Sequence, residues 1–448
     1  MKKLAILLCC ALACNAGAQV TDWKIVSKYD KKAAKEQLTK RFMHYVTFDT
    51  QSDPTADKVP STSGQMQLAK ELAKELKKYG AKNVQVNSHA IVTADIPATS
   101  NKPAPTVAFI AHMDTAREVS GKNVKPQVHK DYKGGDIVIN ATHNIVINPQ
   151  NSPQLTQALG HDIITASGGT LLGADDKTGV SIIMTMVQYL YDHPEIVHGP
   201  IKIAFTPDEE IGTGIDTLDV SKFGADYAYT LDGGNLGELT TETFTAKAFK
   251  ATFTGNRAVH PGFAMNSSFA DNILMASDFH TLLPRQSRPE TTSGRRGYIY
   301  LDTFRTETDT TTVEGILRAF NDEDMNTLLG QLNQALRTVK TMHNKGTATL
   351  KITDEYRNFN EKLPPLMVTL AQEAMNQEDI KPILHAARGG TDGSILSFKG
   401  LPTPDLFSGQ FNIHSEREYA DVDIMEASLR TILRLVELWG RQTPANAI

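Results

Sequence analysis

The sequence predicts an α/β protein with a mixed, mostly parallel sheet that carries helices on both faces, together with an inserted ferredoxin-like α+β domain. Short apolar runs alternate with helical segments through the first half of the chain. A β-α-β-β-α-β order begins after position 241, and the first pattern resumes after 362. We therefore expect a leader at 1–18, one larger domain in two parts at 19–241 and 363–448, and the inserted domain at 242–362.

The elements of the larger domain are predicted from apolar spacing and from turn residues. The run TVAFIA is continuous, which is typical of a strand buried on both faces. Gly80 marks a helix end, and the segment 117–170, rich in Asn, Gly, Asp and His, predicts hairpins and long loops. In chain order we expect helices at 31–49, 64–78 and 177–190, strands at 106–111, 200–205 and 225–230, then a helix at 363–376, a strand at 382–387 and a helix at 424–439.

The inserted domain is predicted by a change in pattern. Its first strand alternates apolar and polar residues, as a strand with one exposed face does. Two helices and three further strands follow in the ferredoxin-like order. We expect strands at 246–254, 297–305, 311–320 and 347–352, and helices at 267–283 and 322–340.

Length and composition limit the possible classes of protein. The chain has 448 residues, of which 40% are hydrophobic and 22% charged, which is typical of a soluble globular protein with two or three domains. The formal net charge is -5, and no basic stripe is visible. We therefore expect no nucleic-acid partner.

The N-terminus has the pattern of a secretory signal peptide. Lys2 and Lys3 precede an apolar run at 4–13, and an A-x-A triplet follows at 16–18. The run is too short for a permanent membrane span. These cues predict cleavage after Ala18 and export to the periplasm, with lipid attachment at Cys14 as an alternative.

Cysteine usage fits the same interpretation. All three cysteines, Cys9, Cys10 and Cys14, lie in the predicted leader. The mature chain would keep at most one of them, so it would have no disulfide. A structural zinc site built on cysteines is also excluded.

Seven acidic and imidazole side chains lie at the ends of predicted strands and turns. Open α/β sheets build their sites at the carboxyl ends of strands. Two histidines and four carboxylates can ligate two divalent metals, and one carboxylate remains to act as a base, so the set indicates two-metal hydrolysis. The seven are His112 and Asp114 in AHMDTA, Asp175 in LLGADDKTG, Glu209 and Glu210 in FTPDEEIGTG, Asp232 in YTLDGG, and His414 in NIHSERE.

Spacing suggests roles within this set. His112 and Asp114 are two residues apart on an extended segment, so their side chains share a face, and one can bind metal while the other orients it. Glu209 and Glu210 are adjacent, so their side chains point in opposite directions. One of this pair can bind metal while the other acts as general base. Without a cation that neutralises them, two adjacent carboxylates would repel each other.

Each residue also has an ordinary structural interpretation. His112 and Asp114 could be polar residues entering a turn, and Asp232 could be a turn residue before two glycines. His414 could be a surface-loop histidine. Asp175 could cap a helix, although its neighbour Asp176 is the better candidate for that role. Only the ordered set favours a metal site.

The motifs around these residues resemble the peptidase T family of co-catalytic zinc aminopeptidases. The resemblance covers essentially the whole chain after the leader. It includes TQS at 50–52, VPST at 59–62, VHPG at 259–262 and RGGTDGSILSFKGLPTPDLFSG at 388–409, beside the motifs quoted above.

That resemblance implies a role for each residue. His112 and Asp232 would hold one zinc ion, Glu210 and His414 a second, and Asp175 would bridge the two. Asp114 would orient His112, and Glu209 would be the general base. His260 would reach across the cleft to stabilise an oxyanion, and Arg388 would bind the peptide carboxylate. For these last two residues, an ordinary turn and a surface ion pair are the alternatives.

The resemblance implies hydrolysis of the N-terminal residue from tripeptides, with two Zn²⁺ per chain and with Co²⁺ or Mn²⁺ as possible substitutes. Small peptides are the expected partners, and the inserted domain could support a homodimer. A carboxypeptidase, dipeptidase or N-acyl amino acid deacylase on the same scaffold is an alternative, because other residues recognise the ends of the substrate. A non-catalytic peptide-binding protein of the cell envelope is a further alternative from another class.

Overall fold

A computed structural model describes residues 29–257 and 260–444. The predicted signal peptide at 1–18 and the lipid-attachment alternative at Cys14 lie outside these residues. The α-helices among the described residues are α1 (Lys31–Tyr45), α2 (Ser63–Tyr79), α3 (Ala174–Asp192), α4 (Val220–Phe223), α5 (Asn272–Leu282), α6 (Asp322–Met342), α7 (Pro365–Gln377), α8 (Asp392–Phe398) and α9 (Val422–Trp439).

An eight-stranded sheet forms the centre of the larger unit. Its strands, in spatial order, are β1 (Lys82–Val86), β2 (Val92–Ile96), β8 (Ile201–Thr206), β3 (Val107–His112), β9 (Tyr227–Gly233), β16 (Asp405–Phe407), β10 (Glu238–Thr243) and β15 (Ile383–Ala387). The pairs β8–β3, β3–β9, β9–β16 and β10–β15 are parallel, and the other three pairs are antiparallel. The sheet is therefore mixed, as the sequence predicts.

Strand β3 explains why the middle of this sheet reads as a continuous apolar run. Phe109 packs into the core formed with α1, α2, α3, α7 and α9, whereas Ala108 and Ile110 face a smaller cluster that includes Leu396 of α8. Successive side chains of a strand point to opposite faces, so a strand buried on both faces cannot alternate in polarity. Strands β10 and β16 were not predicted, because ELTTET is polar and DLF is only three residues long.

The second unit is a four-stranded antiparallel sheet covered by α5 and α6. Its spatial order is β12 (Tyr298–Thr306), β13 (Thr310–Ala319), β11 (Thr245–Thr254) and β14 (Thr347–Tyr356), and its chain order is β-α-β-β-α-β. This unit has its own apolar core, in which Phe253 contacts Phe279. The predicted ferredoxin-like class is confirmed, and the boundaries at 242 and 362 stay predictions.

Two small sheets contain the strands of the region 117–170, which was predicted to form hairpins and long loops. One contains β17 (Gln410–Phe411), β18 (Tyr419–Asp421), β7 (Ile163–Thr165) and β4 (Gln127–His129), and the other pairs β5 (Ile137–Asn140) with β6 (Ile145–Ile147). The first of them brings the segment after residue 410 against the turn that leads into α3. None of the described helices combines the length and the apolar character that a bilayer crossing requires.

Candidate metal centre

The parallel strands β8, β3 and β9 bring their carboxyl ends to one edge of the central sheet. His112 is the last residue of β3, Asp232 lies near the end of β9, and Glu209 and Glu210 follow β8. Asp175 lies in the first turn of α3, where the backbone departs from helical angles at Asp175 and Asp176. His414 lies in the loop between β17 and β18. The metal ligands predicted from the sequence therefore meet at this edge, as the rule for open α/β sheets requires.

Two groups of ligand atoms share Asp175. Asp175 Oδ1 lies 2.8 Å from His112 Nε2, and Asp175 Oδ2 lies 3.4 Å from His414 Nε2. Asp232 Oδ1 lies 3.7 Å from His112 Nε2, and Glu210 Oε2 lies 3.0 Å from His414 Nε2. Within each group the ligand atoms lie within 4.8 Å of one another. The arrangement suits two neighbouring cations with one carboxylate between them.

Asp114 lies behind this edge and contacts three of the other residues. Its Oδ1 is 3.4 Å from His112 Nδ1, on the side of the ring away from Asp175. The same carboxylate accepts hydrogen bonds from the backbone N–H groups of Glu209 (3.0 Å) and Glu210 (3.2 Å). A single buried carboxylate thus contacts a histidine and the Glu209–Glu210 backbone.

Buried carboxylates that sequence reasoning did not single out hold the turns in place. Asp208 has a left-handed backbone (φ 51°), and its carboxylate accepts hydrogen bonds from the N–H and hydroxyl of Ser61 and from Gln65. Glu418 accepts three backbone N–H bonds, two from the turn before α3 and one from Asp175 in the first turn of that helix (3.0 Å). The VPST motif is the sequence signal for the Asp208 contact, because it contains Ser61.

The electrostatics of the site fit divalent cations. Burial raises the pKa of Glu209 well above its usual range, and burial beside Asp175 raises the pKa of Glu210 to about 8. Burial would lower the pKa of His414, but its hydrogen bonds to Asp175 and Glu210 outweigh that effect and raise the pKa to about 11. Glu210 Oε1 is buried and has no hydrogen-bond partner among the described residues. Several carboxylates, one of which has a buried oxygen without a hydrogen-bond partner among the described residues, thus lie beside two imidazoles. This donor set suits Zn²⁺, Co²⁺ or Mn²⁺.

A cleft of about 620 Å³ opens in front of these residues. Glu209, Glu210 and His414 line one side of it, and Arg318 and Tyr356 of the four-stranded sheet line the other. A cleft of this volume lies within the range of small-ligand sites. It can take a small peptide between the two units.

His260 and Arg388 do not join the cluster. His260 is exposed, and its Nδ1 accepts a hydrogen bond from the Gly262 N–H at 3.1 Å. The guanidinium of Arg388 donates to the carbonyls of Gly294 (2.7 Å) and Arg296 (2.9 Å) and to the hydroxyl of Thr292. Among the described residues no contact links either side chain to the metal-ligand groups, so their predicted roles stay predictions. Of the VHPG motif, residue 259 lies outside the described residues.

Arg318 on β13 is a cleft residue that sequence reasoning missed. Its Nε and Nη1 atoms are buried and have no hydrogen-bond partner in the described part of the chain. Its guanidinium lies over the ring of Tyr356, 4.8 Å from the ring centre. No sequence signal distinguishes it from other polar residues of an alternating strand.

Comparison with known proteins identifies the family. A model described as peptidase family M20/M25/M40 matches residues 165–438. Peptidase T of Geobacillus sp. (strain WCH70) is 43% identical over 410 residues, which span 91% of this chain and 100% of that protein. The chain belongs to this family, as a member of its peptidase T branch. It is a metallo-aminopeptidase, as the sequence motifs predict.

Solved structures show the same fold. An aminopeptidase PepT from Bacillus cereus superposes with a TM-score of 0.70 at 23% identity, covering 91% of this chain and 99% of that one. A tripeptidase from Staphylococcus aureus superposes with a TM-score of 0.70 at 21% identity and the same coverage. The predicted α/β class with an inserted α+β unit is therefore confirmed.

The prediction of an exported, periplasmic enzyme is wrong. The relatives that place the chain in its family are Peptidase T proteins matched over 99–100% of their own length, and no part of that match supports export. The prediction depended on two lysines, a ten-residue apolar run and small residues, and such short compositional cues also occur without an export function. The segment on which the prediction depended lies outside the described residues.

Proposed function

We propose that this protein removes the N-terminal residue from tripeptides with two Zn²⁺ ions bound at the edge of the central sheet. The observation that carries the proposal is the pair of ligand groups that share Asp175. These groups lie beside a cleft that Glu209 lines. The similarity to Peptidase T and the fold shared with a tripeptidase support tripeptides as the substrate class.

The proposed ligands divide into two sets. His112 and Asp232 would hold one ion, Glu210 and His414 the other, and Asp175 would bridge them. Two such ions would supply Lewis-acid polarisation of the peptide carbonyl and would make water acidic enough to lose a proton near neutral pH. Metal analysis of the purified protein tests the assignment, and less than one metal per chain would contradict it.

Glu209 is the proposed general base and acid. Its backbone is fixed through Asp114, and its side chain lines the cleft. The carboxylate would take a proton from the attacking water and then deliver it to the leaving amine. Burial raises its pKa above the usual range of a glutamate, which favours holding the proton between the two steps.

His260 would stabilise the oxyanion only after a movement, since its side chain lies on the exposed surface of the inserted unit. Closure of the cleft around a substrate is the motion proposed to bring it in. Homodimerisation through the inserted unit is a further proposal, which is supported by the free edge of β12 and the exposed side chain of Phe304. Light scattering coupled to size-exclusion chromatography would test the dimer.

Metal binding should release protons. In the metal-free protein His414 has a pKa of about 11, that of His112 is raised by its contacts with Asp114, Asp175 and Asp232, which outweigh burial, and that of Glu210 is about 8. All three therefore hold a proton at pH 7, and each must lose it to bind a metal. Zn²⁺ affinity should rise with pH, with roughly two to three protons released per chain.

Calorimetric titration in buffers of different ionisation enthalpy measures this release. His414→Ala is the matched variant, and it should release about one proton fewer. A binding enthalpy that does not change between buffers would contradict the proposed ligands.

Two arginines are candidates for binding the peptide carboxylate. Arg388 was predicted for this role, but its guanidinium already donates to backbone carbonyls. Arg318 lines the cleft with two buried nitrogens that lack partners among the described residues. Buried guanidinium nitrogens without hydrogen-bond partners are costly, and a substrate carboxylate would satisfy them with paired hydrogen bonds. We therefore propose Arg318 as the carboxylate-binding residue.

Arg318→Ala should lower kcat/KM for free tripeptides by about 10²-fold, because a charge-assisted hydrogen bond to a buried group contributes roughly 1.5–3 kcal/mol. Hydrolysis of the same peptides with a C-terminal amide should change little. Arg388→Ala is the comparison variant. If Arg388→Ala alone removes the preference for a free carboxylate, the role belongs to Arg388 as the sequence predicts.

The substrate panel also separates the remaining activities of this scaffold. An aminopeptidase should hydrolyse free and C-amidated tripeptides but not N-acetylated ones. Release of the C-terminal residue would indicate a carboxypeptidase, cleavage confined to dipeptides a dipeptidase, and turnover of N-acyl amino acids a deacylase.

A further inference from the structure

A loop that follows β3 is fixed in place by the side chain of Gln51. Gln51 Nε2 donates to the carbonyls of Ala116 and Val119, both at 2.8 Å. The backbone of Ser52 also donates to the Thr115 carbonyl at 3.1 Å. The TQS motif therefore holds the loop 115–119 from both sides of Glu118, although the proposed chemistry assigns it no role.

The side chain of Glu118 extends from this loop towards His414, a proposed ligand of the second metal ion. Its Oε2 lies 3.6 Å from His414 Nδ1, whereas His414 Nε2 faces Asp175 and Glu210. The carboxylate thus lies on the side of the imidazole ring that faces away from the ligand groups.

The other histidine of the site has the same arrangement. His112 Nε2 faces Asp175, and its Nδ1 lies 3.4 Å from the carboxylate of Asp114 and 3.2 Å from the backbone carbonyl of the same residue. Asp114 and Glu118 belong to one short segment, so a single stretch of chain places an acid behind each histidine. A histidine that binds a metal commonly donates its other ring N–H to a carboxylate, which fixes the tautomer and makes the ligating nitrogen more basic.

His414 has more need of such a partner than His112. His112 is buried, but the side chain of His414 is 36% exposed, and its backbone has a left-handed conformation (φ 60°). A side chain that is partly exposed keeps more rotamer freedom, which must be lost when it binds a metal. The side chain of Glu118 is itself 52% exposed, but the hydrogen bonds of Gln51 fix the backbone that carries it, so less freedom remains to be lost.

We propose that Glu118 is the positioning residue for His414 in metal binding, and that Gln51 acts through Glu118 by fixing its loop. This inference rests on the proposed function, in which His414 is a metal ligand. It concerns one of the two metals, since no contact joins Glu118 to His112, Asp175 or Asp232 among the described residues.

Titration of the metal-free, full-length protein with Co²⁺, followed by visible absorption, tests the proposal without using peptidase activity. The wild-type protein should bind two Co²⁺. In Glu118→Ala one of the two affinities should fall about 10- to 100-fold, the range found for such outer partners, while the other stays unchanged. Glu118→Gln keeps an acceptor but loses the charge, so its loss should be smaller.

Glu416→Ala is the matched control, because Glu416 lies in the same loop as His414 and has no described ion pair with it. It should bind both Co²⁺ ions like the wild type. Gln51→Ala should weaken the same site as Glu118→Ala, and the double variant should lose little beyond Glu118→Ala alone, since coupled residues are not additive.

The outcomes separate the two hypotheses. Two Co²⁺ bound by Glu118→Ala with wild-type affinities would overturn the role of Glu118. Additive losses in the double variant would overturn the role given to Gln51. Fewer than two Co²⁺ bound by the wild-type protein would instead contradict the proposed two-metal function.

Discussion

Glu209→Gln should lower kcat on tripeptides by about 10³-fold while both metals stay bound. Proton transfer by a positioned side chain contributes roughly 10²- to 10⁴-fold to a rate. In the proposed chemistry Glu209 makes two such proton transfers, one from water and one to the leaving amine. Glutamine has nearly the same shape but cannot accept or release the proton. The variant should therefore slow the chemical step without weakening metal binding.

The position of Glu209 explains why the metals should remain. Its backbone N–H donates to Asp114, and that bond survives a change of side chain. Its carboxylate belongs to neither group of ligand atoms. Steady-state kinetics combined with metal analysis checks both parts of the prediction.

Glu355→Gln is a suitable control, because Glu355 also lines the cleft but is exposed and lies on β14. It should keep kcat within a few fold of the wild type, since its side chain is exposed and belongs to neither group of ligand atoms. Wild-type turnover by Glu209→Gln would remove Glu209 from the proposed chemistry. Loss of metal from that variant would make Glu209 a ligand instead of a base.

The local sequence predicts the parts of the site that depend on strand ends. His112, Glu209, Glu210 and Asp232 each follow or end a strand, and the carboxyl ends of parallel strands must meet at one edge of the sheet. Their convergence could therefore be expected before the fold was known, and the motifs of the family then assigned roles to them.

Contacts between distant segments could not be predicted in this way. Glu418 holds the turn before α3 from more than 240 residues away, and Asp208 is held by Ser61 at a separation of 147. Such bonds leave no trace in local periodicity, which reports only the face that a segment buries. The hydrogen bonds from Arg388 to backbone carbonyls near residue 294 are another case. Every residue has a backbone carbonyl, so the sequence does not show which of them is free to accept.

Asp175→Asn should lower peptidase activity by roughly 10³-fold or more and reduce the bound metal from two ions to one or fewer. Asp175 lies between the two imidazoles, with Oδ1 near His112 and Oδ2 near His414. Burial would raise its pKa, but the hydrogen bonds from both histidines outweigh burial and hold it well below the usual range. An amide offers one oxygen and no charge, so it cannot join two cations.

The size of the loss follows from what the metals contribute. Polarisation of a carbonyl by bound metal supplies several kcal/mol of transition-state stabilisation, and each 1.4 kcal/mol corresponds to a tenfold change in rate. Because Asp175 belongs to both ligand groups, its removal should weaken both sites rather than one.

The neighbouring residue Asp176 provides the control for Asp175. Its carboxyl group is also buried, but it accepts hydrogen bonds from the N–H groups of Gly179 (3.1 Å) and His112 (3.3 Å). Burial raises its pKa well above the usual range, which favours the neutral form. Asp176→Asn replaces one acceptor of these hydrogen bonds by an amide, and it should cost about 1–3 kcal/mol of stability while both metals remain bound.

The two variants differ by one position in the chain and by the kind of loss each should show. Metal content measured by mass spectrometry should fall in Asp175→Asn alone. The free energy of unfolding, measured by urea denaturation of the metal-free proteins, should fall in both variants, because Asp175 contacts both histidines in the metal-free protein. If Asp176→Asn also lost metal, the bridging role could not be assigned to Asp175 alone. If Asp175→Asn kept two metals, the two ligand groups would not depend on a shared carboxylate. The assignment of ligands to the two ions would then have to be revised, with His112 and His414 as its starting points.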